Sequence, residues 1–177
     1  MSVSHLRRAA AAVAALALGL SALVSVGTAA SAAVIDLQCT GSQTLNYSPG
    51  LTLTPQAVTV SGSGSFSCPV SSDPTISTGA FTVGPVGATL GCALTGGSGT
   101  FAYTWNNGQV STVSATSLVT ASLGVVSVTS TGTVVSGPFT GDTAVFTWTG
   151  ASPGLLDCLT PTGVTQYSGA TTLTFTI

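Results

Sequence analysis

Four aspartates, Asp36, Asp73, Asp142 and Asp157, are the only acidic side chains in this 177-residue chain. Acid–base chemistry would fall to them. A glycosidase needs two carboxyls facing each other across a sugar, and an aspartic protease needs two Asp-Thr-Gly-type loops that share one proton. Gly141-Asp142-Thr143-Ala144 offers one imperfect loop and no second copy exists, so Asp142 reads as a turn residue opening a strand. The other three sit where a turn or strand-end Asp is ordinary. The basic side chains, His5, Arg7 and Arg8, all lie near the N-terminus, and residues 33–177 contain no Lys, Arg, His or Glu. Serine triads, His-paired cysteine nucleophiles and Schiff-base lysines therefore lack their parts. The expectation is a protein that is not an enzyme and uses no cofactor.

Four cysteines follow the N-terminal segment: Cys39, Cys68, Cys92 and Cys158. A zinc site would need closely spaced ligand pairs or histidine, and neither occurs. Calcium would need clustered oxygen ligands, whereas the aspartates are scattered singly. An even cysteine count in an exported chain reads first as disulfides. Of three possible pairings, the strand order below favours Cys39–Cys68 and Cys92–Cys158.

The one positive hint of binding chemistry is aromatic. Trp105 is followed by Asn106, Asn107 and, after Gly108, Gln109. A flat ring beside amide groups at a hairpin tip suits sugar recognition, the ring stacking and the amides bonding hydroxyls. Trp148 and Tyr47 could extend such a platform. The competing reading is core: Phe101, Tyr103 and Trp105 share one strand face, as do Phe146 and Trp148, and a β-fold fills its interior in that way. The shared face favours core for Trp105.

The elements that must position these residues begin after a secretory signal. Arg7 and Arg8 precede an apolar run, Ala9 to Val26, and small residues lead to Ala30-Ser31-Ala32, an A-x-A-like cleavage site. Cleavage is expected after Ala32, with Ala30 as the alternative, so residues 1–32 are a signal peptide and residues 33–177 a single domain. No cysteine ends the apolar run, which argues against lipid attachment, and no second apolar span follows. The expected product is secreted and extracellular, with no membrane attachment after signal cleavage. Without one basic side chain it cannot neutralise phosphates, which excludes nucleic acid as a partner.

Residues 33–177 are rich in Val, Thr, Ser and Gly and alternate with strand period. Leu37, Cys39, Leu45 and Tyr47 line one face, and Val58, Val60, Phe66 and Cys68 another, so two strands folding back would bring Cys39 near Cys68. Short strands are expected over about 75–83 and 88–94, separated by Gly84-Pro85. Gly96-Gly97-Ser98-Gly99 reads as a turn, and Asn106-Asn107-Gly108 as a hairpin tip. Further strands are expected at about 109–120, 123–135 and 139–149. A loop holding Pro153, Cys158 and Pro161 then leads to a last strand with Tyr167, Leu173, Phe175 and Ile177 in register. The pattern predicts an all-β fold: an immunoglobulin-like antiparallel β-sandwich of about nine strands, or alternatively a small β-barrel.

Cys39-Thr40-Gly41, Tyr47-Ser48-Pro49-Gly50-Leu51-Thr52, Trp105-Asn106-Asn107-Gly108-Gln109 and Phe139-Thr140-Gly141-Asp142-Thr143-Ala144 resemble small secreted actinobacterial β-sandwich proteins of unassigned function. These are turn motifs, so the resemblance implies fold and export and carries no activity. Two expectations of function follow. The first is a secreted, non-catalytic structural or protein-interaction domain with an extracellular protein partner, engaged through a sheet edge. The second is an extracellular carbohydrate- or cell-wall-binding module whose partner is a wall glycan and whose site is Trp105, Asn106, Asn107 and Gln109.

Overall fold

A computed structural model describes residues 33–122, 124–152 and 155–177. The expected signal peptide, Leu123 and Pro153 lie outside the described residues. Eight strands run in chain order: β1 (Ile35–Leu51), β2 (Gln56–Ser71), β3 (Thr78–Leu90), β4 (Gly97–Trp105), β5 (Val110–Ser122), β6 (Val125–Ser136), β7 (Thr143–Ala151) and β8 (Val164–Thr176). A four-residue helix, α1 (Leu155–Cys158), precedes β8.

Each strand pairs antiparallel with the next, and β1 pairs with β8 from Ile35↔Thr176 to Leu51↔Val164, so the sheet closes on itself. The all-β antiparallel fold is the expected one, in its second form, the small barrel. Closure leaves no terminal edge strand, although the ladder between β3 and β4 is short, with only Gly79↔Trp105 and Ala80↔Thr104 paired. The expected nine strands become eight because Gly84-Pro85 does not end a strand. Gly84 takes φ 63°, which glycine adopts without a Cβ penalty. β3 continues past it, returning to register on β2 at Val60↔Val86 after a shift. Two boundaries also move: Gly97–Gly99 belong to β4, and β7 begins at Thr143 because Phe139–Asp142 form a turn.

Period-2 alternation sets which side chains point inward. Odd positions do so on β1, β4, β5 and β8 and even positions on β2, β6 and β7, while β3 switches from odd (Gly79, Phe81, Val83) to even (Ala88, Leu90) across the irregularity at Gly84. Two core clusters result. One packs Phe66, Phe81, Tyr103, Trp105 and Phe175 around Cys39 and Cys68. The other packs Tyr47, Leu51, Val58, Trp148 and Tyr167. Glycines on the wall make room for the large rings. A Cβ at Gly79 would sit 2.6 Å from the Trp105 ring, and one at Gly150 the same distance from Trp148; the Phe81 ring covers Gly64 in the same manner.

The outward positions are mostly hydroxyl-bearing. Thr129, Thr147, Thr172 and Thr40 stand directly opposite one another across β6, β7, β8 and β1. Both expected disulfides are present: Cys39–Cys68 joins β1 to β2, and Cys92–Cys158 ties the β3–β4 connection to α1.

Candidate functional site

The β4–β5 hairpin forms as its sequence predicts. Gly108 takes φ 84° and donates to the Trp105 carbonyl, while Trp105 N donates to the Gln109 carbonyl. The ring, however, turns inward. Trp105 is 2% exposed, and its Nε1 donates to Ser111 Oγ at 2.8 Å. Tyr103 stacks beside it, with Phe139 and Phe175 edge-on. Trp105 is thus a core residue and no platform for a sugar.

Asn106, Asn107 and Gln109 do come together on the exposed tip, but their amides serve the fold. Asn106 Oδ1 accepts from Ser77 N and Thr78 N at 2.9 and 3.1 Å, and its Nδ2 donates to the Thr75 carbonyl at 2.9 Å. Asn107 Nδ2 donates to Thr75 Oγ1 and to Gln109 Oε1, each at 2.8 Å. Thr75 is fixed in turn by Asp73, whose Oδ1 accepts from its hydroxyl at 2.7 Å and its amide at 2.9 Å. Those hydrogen bonds, the hydroxyl's foremost, hold the Asp73 carboxyl below its usual range. The tip is a clasp locking the β4–β5 turn onto the β2–β3 loop.

Tyr47 and Trp148 belong to the other core cluster and do not extend toward Trp105. Tyr47 meets Tyr167 edge-on at 5.9 Å, and burial, with a smaller contribution from Tyr167, pushes its hydroxyl up to about 12.

Of the aspartates, Asp36 and Asp142 are brought together. Asp142 closes the β6–β7 turn with its side chain buried, and its carboxyl is raised by desolvation first and then by the neighbouring Asp36 carboxyl. Asp73 is half-buried on the β2–β3 loop and Asp157 exposed on α1, and no cluster of three metal-ligating residues occurs among the described residues.

Two features that the alternation could have revealed, and that a search for aromatics and charges passes over, are the polar inward positions and a gap in the wall. Gln43 on β1, Ser117 on β5 and Ser130 on β6 all fall on inward parities, and all line a cavity of about 180 Å³ within the barrel. The gap lies between β3 and β4. These two strands share only Gly79↔Trp105 and Ala80↔Thr104, whereas β4 pairs with β5 from Gly97↔Ser117 to Thr104↔Val110. Beyond Ala80 the strands diverge around a groove lined by Phe81, Val83, Leu90, Thr100 and Phe101. Local chemistry explains the parting: Pro85 has no N–H to donate, and Gly96-Gly97-Ser98-Gly99 gives β4 few side chains with which to pack. Compared with protein-family models, curated proteins and solved structures, the chain matches none.

Proposed function

We propose that residues 33–177 act as an exported, non-catalytic interaction domain that accepts a strand of an extracellular protein along the free edge of β4. The observation that carries this reading is the stretch Gly97–Ala102, paired with β5 on one side but unpaired on the side that faces the β3–β4 groove. Such an edge is a ready template for β-strand addition, in which main-chain hydrogen bonds supply affinity and pockets beside the edge supply selectivity. Proteins that avoid this pairing place charges or proline on the edge. Between Gly97 and Ala102 there is neither. Pro85 blunts the β3 side, so β4 is the strand left to accept a partner.

The partner segment would be extended and uncharged, since the groove offers no ionic partner. Export rests on the N-terminal pattern, and two disulfides are compatible with an oxidising compartment. The hydroxyl-bearing outer wall suits water, because a lipid-facing barrel presents an apolar band. The likeness to small secreted actinobacterial proteins belongs to the same proposal.

Capture from culture medium on immobilised protein tests it, comparing wild type with Ser98→Lys/Thr100→Lys. Both residues are exposed and outward on β4. The proposal expects a specific partner retained by wild type and lost by the lysine variant; equal capture by both would overturn it. Intact mass of the secreted species tests export, with a mature N-terminus at Ala33 expected. A product retaining Arg7 and Arg8 in the membrane fraction would contradict it.

A further inference from the structure

We infer that the cavity between the two core clusters is a binding site for a small, uncharged, largely apolar molecule bearing one or two hydrogen-bonding groups, admitted through the β3–β4 groove. This inference stands apart from the partner-strand reading, since it concerns the inside of the barrel.

An eight-stranded barrel is just wide enough either to fill its interior with side chains or to hold one small ligand. This one does the first at both core clusters and leaves a space of about 180 Å³ between them. One water needs roughly 10–15 Å³ of such space, so the volume is an order of magnitude beyond a packing defect. Most of the wall is apolar, with Val60, Val128, Phe146 and Trp148 among its residues, and no charged side chain contributes. An ionised ligand would therefore be buried without a counter-charge, which is strongly unfavourable. That selects a neutral occupant.

The polar groups are few and specific. Gln43 is 7% exposed and lines the cavity, and its amide has no hydrogen-bond partner among the described residues. An amide carries two donors and two acceptor sites, and on the same wall Trp148 Nε1 is a buried donor without a partner, which is costly to leave unpaired. The neighbours of Gln43 in the sheet are Gly64 on β2 and Gly169 on β8. The rings of Phe81 and Trp148 lie over those two glycines, so Gln43 emerges between two aromatic walls. On the far side Ser117 Oγ and Ser130 Oγ are 2.6 Å apart. One of the two hydroxyls donates to the other, which leaves one O–H of the pair available to a ligand.

Access follows from the gap. Val83, Phe101 and Ser117 line both the cavity and the groove, and form the partition between them. All three are only half-buried. No β3–β4 ladder hydrogen bonds hold the partition there, so its side chains can swing aside without breaking any between those two strands.

The test uses 1-hexanol as a neutral probe with one hydroxyl and hexanoate at pH 7 as its charged counterpart. Binding is followed by calorimetry and by the rise in melting temperature that a native-state ligand produces. Hexanol is expected to bind saturably and to raise the melting temperature, and hexanoate to do neither. Gln43→Leu should weaken hexanol about tenfold, as the loss of one hydrogen bond implies. Val128→Phe fills the cavity and should abolish hexanol binding while the variant keeps its strand circular dichroism and melts cooperatively. Absence of saturable hexanol binding to wild type would overturn the inference. So would hexanol binding that survives Val128→Phe in a folded variant, or hexanoate binding as tightly as hexanol.

Discussion

The indole Nε1 of Trp105 donates to Ser111 Oγ at 2.8 Å, and that hydroxyl donates onward to the Pro138 carbonyl at 2.8 Å. A buried tryptophan is thus wired to the β6–β7 turn through a serine that is itself buried. Trp105→Ala should cost about 3–5 kcal/mol through lost burial and the cavity left behind. Ser111→Ala should cost about 1–3 kcal/mol by leaving the indole N–H unpaired. Chemical denaturation measures both. In the wild type, tryptophan emission should be blue-shifted and poorly quenched by acrylamide, since Trp105 and Trp148 are both buried. A stable Trp105→Ala protein would contradict the core assignment.

The glycines under the rings make a second prediction. Gly79→Ala places a methyl 2.6 Å from the Trp105 ring and should destabilise by about 1–3 kcal/mol through overpacking. Gly87→Ala, on the same strand with open space around it, should change stability by no more than about 0.5 kcal/mol. Equal effects at the two positions would show that the ring contact carries no weight.

How much of this was legible in the sequence follows from the reach of each signal. Alternation is local, so the inward set and the first disulfide could be read directly. The pairing of Cys92 with Cys158 followed from the order of strands. Alternation fits a sandwich as well as a barrel, because the β1–β8 ladder that closes the sheet joins the two ends of the domain and has no local signature. The break expected at Gly84-Pro85 failed because β2 holds β3 on both sides of it. The Trp105 face could be read by its parity with Phe101 and Tyr103. Gln43 obeyed the same parity, yet polar residues are assigned outward by habit, so the cavity stayed hidden.

Stability should respond to pH at both ends of the range. The Asp142 carboxyl is raised in the folded protein, so the native state holds its proton more tightly than the unfolded chain does. Its contribution therefore grows as pH falls through the raised range, and is lost as pH rises through it. Asp73 is lowered and acts oppositely, favouring the fold above the ordinary carboxylate value and giving that up only in stronger acid. With no cationic side chain to pair with them in residues 33–177, the melting temperature should hold or rise slightly from pH 7 to pH 4. Asp142→Asn should flatten that limb. At the alkaline end burial raises all three tyrosines, Tyr47 from 10.0 to about 12. Stability from these groups is present below pH 10 and lost as pH climbs above it. Tyrosinate absorbance should then appear late and together with unfolding. A steep melting loss between pH 7 and pH 4 would contradict the acid prediction.

The second disulfide holds the connection that leads into β4. Cys92→Ser with Cys158→Ser should lower stability by about 2–4 kcal/mol and speed amide exchange in the β3–β4 groove more than in the β1–β8 ladder. Mapping without reduction should find Cys39 bonded to Cys68 and Cys92 to Cys158. Pepsin is the suitable protease, since residues 33–177 offer trypsin no site.

The free edge of β4 is the heart of the proposed function, and amide hydrogen exchange reads it residue by residue. In the isolated protein the amides of Gly97–Ala102 that face β3 should exchange far faster than those in the β1–β8 ladder, and binding of the partner retained in the capture experiment should protect that same alternating set. Full protection of Gly97–Ala102 in the isolated protein, or no change in these amides when the partner binds, would contradict the account.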